Sequence, residues 1–273
     1  MQNTPPTPVE AICLENLCKS FGSVQANHNV CLTVYRGEIL ALLGENGSGK
    51  TTLVNMLSGI YRPDSGRISV NGRPVSIRSP KEAIGMGIGM IHQHFKLVDV
   101  LTARENIMLG MKGRLSEDLQ ALCARFGLDV DLDKKIYNMS VGEKQTVEIV
   151  KVLARGADIL ILDEPTAGLD PSGRDEILFK IRDMHKRMNL TVVLVSHSME
   201  DVAKLADRIL VMNGGKIEMF DCPEKVFAQS GRLTEIGLSV PQITKVTDRL
   251  RKAGVPVPEG IYTTGDAYRV LLP

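Results

Sequence analysis

The sequence predicts an α/β protein whose core is a mostly parallel, doubly wound sheet. Three observations predict it. Short apolar runs typical of strands buried on both faces alternate with helical segments. A glycine-rich loop joins the first of these runs to a helix, and polar residues follow the later runs. Because ligands of such sheets bind beyond the carboxyl ends of the strands, the functional residues are expected at that edge. The runs are residues 39–43, 88–93, 158–164 and 191–197.

Bulk properties bound the possible functions. The 273 residues are enough for one large α/β domain or a domain with an appendage, and 43% hydrophobic and 24% charged residues are typical of a soluble globular protein. A net charge of +1 shows none of the excess of positive charge that is typical of nucleic-acid-binding proteins, so nucleic acid is not expected as a partner. The first eight residues lack the features of a signal peptide, and no apolar run approaches the roughly 18 residues of a membrane span. We therefore expect a cytosolic protein that can dock on a membrane through another protein.

The N-terminal region predicts antiparallel strands. Apolar and polar residues alternate over residues 11–15 and 29–34, on either side of a turn that contains Phe21. The Phe21 ring could stack on an adenine or pack in the core, and the sequence leaves both interpretations open. Further on, Asn71-Gly72 predicts a hairpin, and Ser79 followed by Pro80 predicts the start of a short helix.

The glycine-rich loop has the spacing G-x-x-x-x-G-K-[ST] of a nucleotide phosphate-binding loop. Its glycines let backbone N–H groups approach phosphate, and the dipole of the following helix adds to the attraction. Lys50 is predicted to reach the β- and γ-phosphates, and the Thr51 hydroxyl to coordinate Mg²⁺. An ordinary glycine turn would need neither residue. The predicted ATP-binding residues here are Gly44, Glu45, Asn46, Gly47, Ser48, Gly49, Lys50, Thr51 and Thr52, with Phe21 as the adenine contact.

The pattern changes twice along the chain. Residues 95–156 lose strand signals and gain helical periodicity, including a helix over residues 115–126, which predicts a helical subdomain inserted in the α/β core. A hairpin is predicted for residues 209–220, at the antiparallel edge of the sheet. From residue 232 the sequence predicts two short helices and a proline-rich tail. We divide the chain into a nucleotide-binding domain of residues 1–230 and a C-terminal extension of residues 231–273.

Two further motifs carry chemistry. Asp163 ends a buried strand, where a carboxylate can hold Mg²⁺, and the adjacent Glu164 can orient and deprotonate an attacking water. Ser140 and Glu143 match a helix capping box, which is a sufficient structural explanation. The same serine, glycine and helix dipole could instead form a phosphate site. Since the chain already has one phosphate loop, that surplus indicates a site shared between two copies.

Taken in their order along the chain, these motifs resemble those of the ATP-binding subunits of ATP-binding-cassette (ABC) transporters, and the resemblance covers about residues 9–227. The resemblance implies that Gln93 is the Q-loop glutamine, that Asp170 belongs to the D-loop of residues 167–170, and that His197 is the switch histidine near the γ-phosphate. It also implies a signature segment that faces the phosphate loop of a second subunit. Val141 and Glu143 depart from the usual L-S-G-G-Q of that segment, which is Ser140, Val141, Gly142 and Glu143 here.

The resemblance completes the predicted site. The catalytic residues would be Glu164, His197 and Gln93, with ATP and Mg²⁺ as cofactors and Thr51, Gln93 and Asp163 as Mg²⁺ ligands. The expected function is ATP hydrolysis coupled to solute uptake, with a second ATPase subunit and a transmembrane permease as partners. The expected location is peripheral, on the cytoplasmic face of the membrane.

Two subfamilies remain open. Residues 91–107 and the signature are similar to simple-sugar and nucleoside importer ATPases, which usually carry two cassettes in one chain. Residues 235–258 are similar to energy-coupling-factor ATPases, which import vitamins or metal ions and whose C-terminal segment helps two subunits pair. ABC ATPases of translation or DNA repair are a remote alternative, because the fused cassettes or coiled-coil insertion typical of them are absent from this sequence. The transported solute is not encoded in an ATPase subunit of this kind.

Overall fold

A computed structural model describes residues 8–111 and 118–271. Its strands are β1 (Glu10–Phe21), β2 (Val24–Tyr35), β3 (Ile39–Leu43), β4 (Ser65–Val70), β5 (Arg73–Val75), β6 (Ile88–Ile91), β7 (Ile159–Asp163), β8 (Thr191–Val195), β9 (Arg208–Asn213) and β10 (Lys216–Asp221). Its helices are α1 (Lys50–Leu57), α2 (Pro80–Gly85), α3 (Ala103–Met108), α4 (Leu119–Phe126), α5 (Val141–Leu153), α6 (Pro171–Met188), α7 (Met199–Leu205), α8 (Pro223–Ala228), α9 (Ser230–Glu235), α10 (Gln242–Lys252) and α11 (Thr264–Leu271).

A six-stranded sheet forms the centre, in the order β10-β9-β3-β8-β7-β6. Every neighbouring pair is parallel except β9 and β10, which form the predicted hairpin at one edge. All five residues of β3 and all five of β8 are buried, as expected for strands covered on both faces. The predicted fold class is confirmed.

The N-terminal antiparallel strands form a separate sheet, in the order β2-β1-β4-β5. The sequence predicted these strands, but it did not indicate that they leave the main sheet. The separation has a packing reason: one face of this sheet shares a core with α1 and with the central sheet, so all three layers bury apolar side chains together. The core includes Leu14, Val30, Leu53, Leu57 and Leu210. The predicted turn at Asn71-Gly72 has positive φ angles of 51° and 73°.

The helical subdomain lies between β6 and β7 in the chain. Within the described residues it contains α3, α4 and α5, and the part of the predicted helix at residues 115–117 lies outside them. Both α3 and α5 begin with a capping box, formed by Thr102 with Glu105 and by Ser140 with Glu143. Its buried side chains share one core with the central sheet and α6, and that core includes Ile107, Leu122, Val150, Leu162 and Ile181.

The C-terminal extension has two parts. Leu233, Leu238 and Val240 pack in the same core as Leu43 and Val211 of the central sheet. Beyond them, α10 and α11 surround a small cluster of Val257, Ile261 and Ala267. The division at residue 230 stays a prediction, although the first residues after it share the central core.

The predicted tail was wrong in one respect, because its last part is helical. The prolines at 256 and 258 lie in the predicted tail, yet α11 begins six residues after the second of them, as a helix beyond the two that were predicted. The N-terminal segment of residues 1–7 and residues 272–273 lie outside the described residues. Among the helices that the structure describes, none has the length and apolar character needed to cross a bilayer.

Candidate functional site

The phosphate loop packs so closely that two of its glycines have no room for a side chain. A Cβ at Gly44 would lie 2.4 Å from the carbonyl oxygen of Met212, and one at Gly49 would lie 2.2 Å from that of Ala26. Both contacts are with backbone, which cannot rotate away. Gly49 also has φ of 102°, a conformation that L side chains rarely adopt. Glycine is therefore required at both positions by packing alone. At Gly49 the missing side chain lets the start of α1 pack directly against the backbone of β2.

The N-terminus of α1 is available to an anion. Gly49 is its N-cap, no side chain in the described part of the chain caps its first turn, and that turn contains no acidic residue. Ser48 is buried and its hydroxyl has no hydrogen-bond partner among the described residues. Free N–H groups, a helix dipole and an orphaned buried hydroxyl fit the phosphates of a nucleotide.

Lys50 is the cation of the loop. Its side chain is buried, and its Nζ donates to the carbonyl oxygens of Gly44 at 2.7 Å and Glu45 at 2.9 Å. Burial lowers the pKa of Lys50, while the nearby carboxylates of Glu164 and Asp163 oppose that shift. The ammonium group is thus held against the loop, on the side where a nucleotide's phosphates would lie.

Asp163 ends β7 and Glu164 follows it, at the carboxyl edge of the sheet. Burial raises the pKa of Asp163, against the opposing effects of His92, Lys50 and His197. Burial also raises the pKa of Glu164, to about 7, against the opposing hydrogen bond from the His197 amide. A carboxylate with a pKa near neutrality can accept a proton at physiological pH and release it again. Glu164 has a positive φ of 50°, a backbone conformation that is uncommon outside glycine.

His197 contacts Glu164 directly. Its backbone N–H donates to Glu164 Oε2 at 3.3 Å, and its ring Nε2 lies 3.4 Å from Glu164 Oε1. That Oε1 is buried and makes no hydrogen bond among the described residues. Burial, followed by the charge of Lys50, lowers the pKa of His197. One oxygen of Glu164 is thus anchored, and the other is buried beside the His197 ring without a hydrogen bond among the described residues.

One cleft of about 320 Å³ brings most of the predicted ATP-site residues together. Its lining includes seven residues of the phosphate loop and helix start, which are Asn46, Gly47, Ser48, Gly49, Lys50, Thr51 and Thr52, with Gln93, Asp163, Glu164 and His197 from the strand ends. Gln93 also lines a second cavity of about 540 Å³ against the helical subdomain, together with His94 and Phe95. Hydroxyl, amide and carboxylate oxygens are a donor set that suits Mg²⁺. The residues therefore fit both predicted cofactors.

Phe21 does not line this cleft, which is bordered on that side by Val24 and Ala26. The Phe21 ring is 43% exposed and meets Tyr61 edge to face, with centroids 5.1 Å apart. It is therefore not a core residue. Adenine stacking by Phe21 stays a prediction.

The signature segment lies in a different cavity, of about 690 Å³. Ser140, Val141, Gly142 and Glu143 line it together with Asp170 of the predicted D-loop. Asp170 caps α6 by accepting from the Gly173 amide at 2.9 Å. Val141 is 41% exposed, so the residue that replaces a glycine points outward from the helix start. The structure does not bring the signature and the phosphate loop together within one chain.

Sequence reasoning missed three contacts. Asn27 is fully buried and donates to the Gly49 carbonyl at 3.2 Å, so it fixes the loop end. The Glu45 side chain fills the space where a Cβ of Gly237 would stand. Lys134 forms an ion pair of 2.6 Å with Glu143. The first two join residues at least 22 positions apart, and Lys134 and Glu143 are nine apart across the start of a helix. Only the asparagine within a strand offered a local signal.

Comparison with known proteins identifies the family. The family described as "ABC transporter" matches residues 27–167. The energy-coupling factor transporter ATP-binding protein EcfA2 of Clostridium perfringens is 38% identical over 280 residues, which cover 98% of this chain and 93% of that protein. The nucleoside import ATP-binding protein NupA of Lactococcus lactis is 43% identical over 241 residues, which cover 84% of this chain and 47% of NupA.

A solved structure agrees. That of cbiO1 from Clostridium perfringens, described as part of the ABC transporter complex cbiONQ, superposes with a TM-score of 0.73 at 29% identity, over 88% of this chain and 99% of that one. Together with the sequence relatives, it confirms the predicted family and ATPase class. The chain belongs to the ABC transporter family, as an ATP-binding and ATP-hydrolysing subunit of the importer type.

Proposed function

We propose that this chain binds ATP and Mg²⁺ in the phosphate-loop cleft and that the signature segment of a second ATPase subunit completes the site. One observation carries the proposal: the phosphate-loop cleft and the signature cavity share no lining residue. Each is half of the machinery that the family uses. Two chains that pair head to tail would place each signature against the other's phosphate loop.

The chemistry follows from the cleft. Glu164 accepts the proton of a water that attacks the γ-phosphorus, the bond to the β-phosphate bridging oxygen breaks, and ADP and phosphate form. Lys50 and the N-terminus of α1 stabilise charge on the phosphate oxygens. Thr51, Gln93 and Asp163 would hold Mg²⁺, which neutralises phosphate charge when bound. The backbone N–H of His197 donates a hydrogen bond to Glu164, and His197 is one of the residues that line the cleft.

Hydrolysis would drive transport through pairing. ATP closes two subunits, hydrolysis reopens them, and a separate transmembrane permease uses that motion for solute uptake. Gln93 suits the link to the permease, because it lines both the nucleotide cleft and the cavity beside the helical subdomain. The protein would then act as a peripheral subunit on the cytoplasmic face of the membrane, with residues 231–273 assisting the pairing.

The substitution Glu164→Gln tests the proposal. It keeps the shape of the side chain but removes the base, so we expect ATP binding to persist, turnover to be lost and an ATP-dependent dimer to accumulate in light scattering. Glu15→Gln, at an exposed position in β1, is the control and should match the wild type. Full ATPase activity in the Glu164→Gln protein would remove Glu164 from its role.

The energy-coupling-factor class is a second candidate, favoured by the extent of the match. The EcfA2 relative covers 98% of this chain, so its similarity includes residues of the C-terminal extension, whereas the chain spans about half the length of NupA. Purification through a tag on this chain, followed by identification of the bound membrane protein, separates the candidates. An energy-coupling membrane subunit favours vitamin or metal-ion uptake, and a sugar or nucleoside permease favours the other class. Co-purified nucleic acid without a membrane protein would contradict both.

A further inference from the structure

Glu143, which departs from the neutral residue usual in the signature, has its carboxylate held by two partners. Its Oε2 accepts from the backbone N–H of Ser140 at 2.7 Å, and its Oε1 accepts from Lys134 Nζ at 2.6 Å. The Lys134 hydrogen bond, followed by that from Ser140, lowers the pKa of Glu143. The side chain is therefore an ionised carboxylate at the start of α5, directly beside the serine proposed to meet a phosphate.

The surroundings of Ser140 are strongly acidic. The signature cavity is lined by five carboxylates and a single lysine, which are Asp129, Asp131, Glu143, Asp170, Glu176 and Lys180. That lysine is already paired, since Lys180 Nζ lies 2.6 Å from Glu176 Oε1. A nucleotide phosphate that approaches this cavity meets a negative field, and the carboxylate nearest to Ser140 opposes it most strongly because Coulomb repulsion falls with distance.

Lys134 is rigidly placed to offset that charge. Its backbone carbonyl accepts from the Ala103 amide at 3.1 Å, and its own N–H donates to the Asp131 carbonyl at 3.3 Å. These bonds fix the segment before the signature against α3. The side chain is 31% exposed, so it is partly shielded from solvent where it meets Glu143.

We propose that Lys134 is a positioning residue of the ATP site: it neutralises the Glu143 carboxylate beside Ser140, so that the γ-phosphate bound by the second subunit can reach that serine. The inference rests on the proposed function, because only a site completed between subunits brings a phosphate to this cavity. It also explains how a signature with a glutamate in place of a neutral amide can accept an anion.

The test compares variants in the complex purified through a tag on this chain, with turnover measured against ATP concentration. Lys134→Met keeps the length of the side chain but leaves Glu143 unpaired, so the KM for ATP should rise by about three- to tenfold, with a smaller change in kcat. Lys135→Met is the matched control, because Lys135 contacts the Val100 carbonyl and lies 4.0 Å from Glu105, outside the signature. Its KM should equal that of the wild type.

Two further variants separate charge from structure. Adding Glu143→Gln to Lys134→Met removes the unpaired charge and should return the KM to within about twofold of the wild type. Lys134→Arg keeps the positive charge beside Glu143, so its KM should equal that of the wild type. The thermal midpoint of each variant is measured alongside. KM should rise only in the variant that leaves the Glu143 carboxylate unpaired, whatever the order of the thermal midpoints. A Lys134→Met protein with the KM of the control, or a double variant without recovery, would overturn the inference. If the wild-type complex itself fails to turn over ATP, the proposed function is at fault instead.

Discussion

Glu164 Oε1 lies 3.4 Å from His197 Nε2, while Glu164 Oε2 accepts from the His197 backbone N–H at 3.3 Å. Both residues stand at the carboxyl ends of neighbouring parallel strands, so the sheet itself sets this contact. The carboxylate is 15% exposed, and its buried Oε1 lacks a hydrogen bond among the described residues. A base held in this way is reactive because it is poorly solvated.

The same burial has a cost in stability that depends on pH. Burial raises the pKa of Glu164 to about 7 in the folded protein, against roughly 4.5 for a free glutamate. The folded state therefore binds more protons than the unfolded state between these values, and stability falls as pH rises through that window. Glu164→Gln removes the ionisation and should stabilise the nucleotide-free protein by about 3 kcal/mol above pH 7 and by little below pH 4.5.

Urea unfolding at pH 8 and pH 4.5 measures this difference. Glu15→Gln, at the exposed strand position, should show equal stability to the wild type at both values. A gain for Glu164→Gln that is the same at the two pH values would show that the amide acts through packing and not through ionisation.

A methyl group should disturb the phosphate loop much more at one glycine than at another. Gly49→Ala places a Cβ 2.2 Å from the Ala26 carbonyl oxygen, so β2 or the start of α1 must move. We expect loss of ATP binding and destabilisation beyond the roughly 1–3 kcal/mol of backbone strain. Gly47→Ala is the matched control, since Gly47 also has a positive φ, of 81°, but has nothing within 4 Å of the added Cβ.

Fluorescent-nucleotide binding and urea unfolding compare the two variants. The difference between them isolates the steric contact from the strain. Equal losses in both would mean that backbone strain alone governs the loop.

The C-terminal extension approaches the phosphate loop where Gly237 lies against the side chain of Glu45. A Cβ at Gly237 would overlap the carboxyl group of Glu45, whose carbonyl oxygen accepts from Lys50 Nζ at 2.9 Å. Gly237→Ala should therefore displace Glu45 and weaken ATP binding by several-fold, and adding Glu45→Ala should recover part of the loss. Gly254→Ala is the control, because Gly254 has a φ of 88° and open space around it.

Isothermal titration with ATP provides the affinities. Unchanged affinity in the Gly237→Ala protein would show that the extension and the loop are independent. A loss that Glu45→Ala does not relieve would assign the effect to strain at Gly237.

Local patterns predicted much of the fold because they depend on few neighbours. The buried run of β3, the loop of residues 44–51 and the Ser79 cap are each encoded within about ten residues. The prediction that Asp163 and Glu164 would lie near the phosphate loop followed from the parallel sheet, since strand ends meet at one edge. These features appear in the structure as expected.

The remainder depends on contacts between distant segments. Alternation predicts the N-terminal strands, but no local pattern indicates that they form a separate sheet, because that arrangement depends on packing against α1 and the central sheet. The pairing of Lys134 with Glu143 depends on how α3 anchors the segment before the signature. The contact between Glu45 and Gly237 joins residues almost two hundred positions apart. Such relationships require coordinates.

The central claim is that the ATP site is completed between subunits, and the dependence of turnover on protein concentration tests it most directly. ATP hydrolysis per chain is measured over a hundredfold dilution, for the subunit alone and together with any ATPase subunit that co-purifies with it. Pairing predicts that the rate per chain falls on dilution and recovers when the second subunit is supplied in excess. A rate per chain that stays constant over the whole range in the isolated monomer would contradict the account.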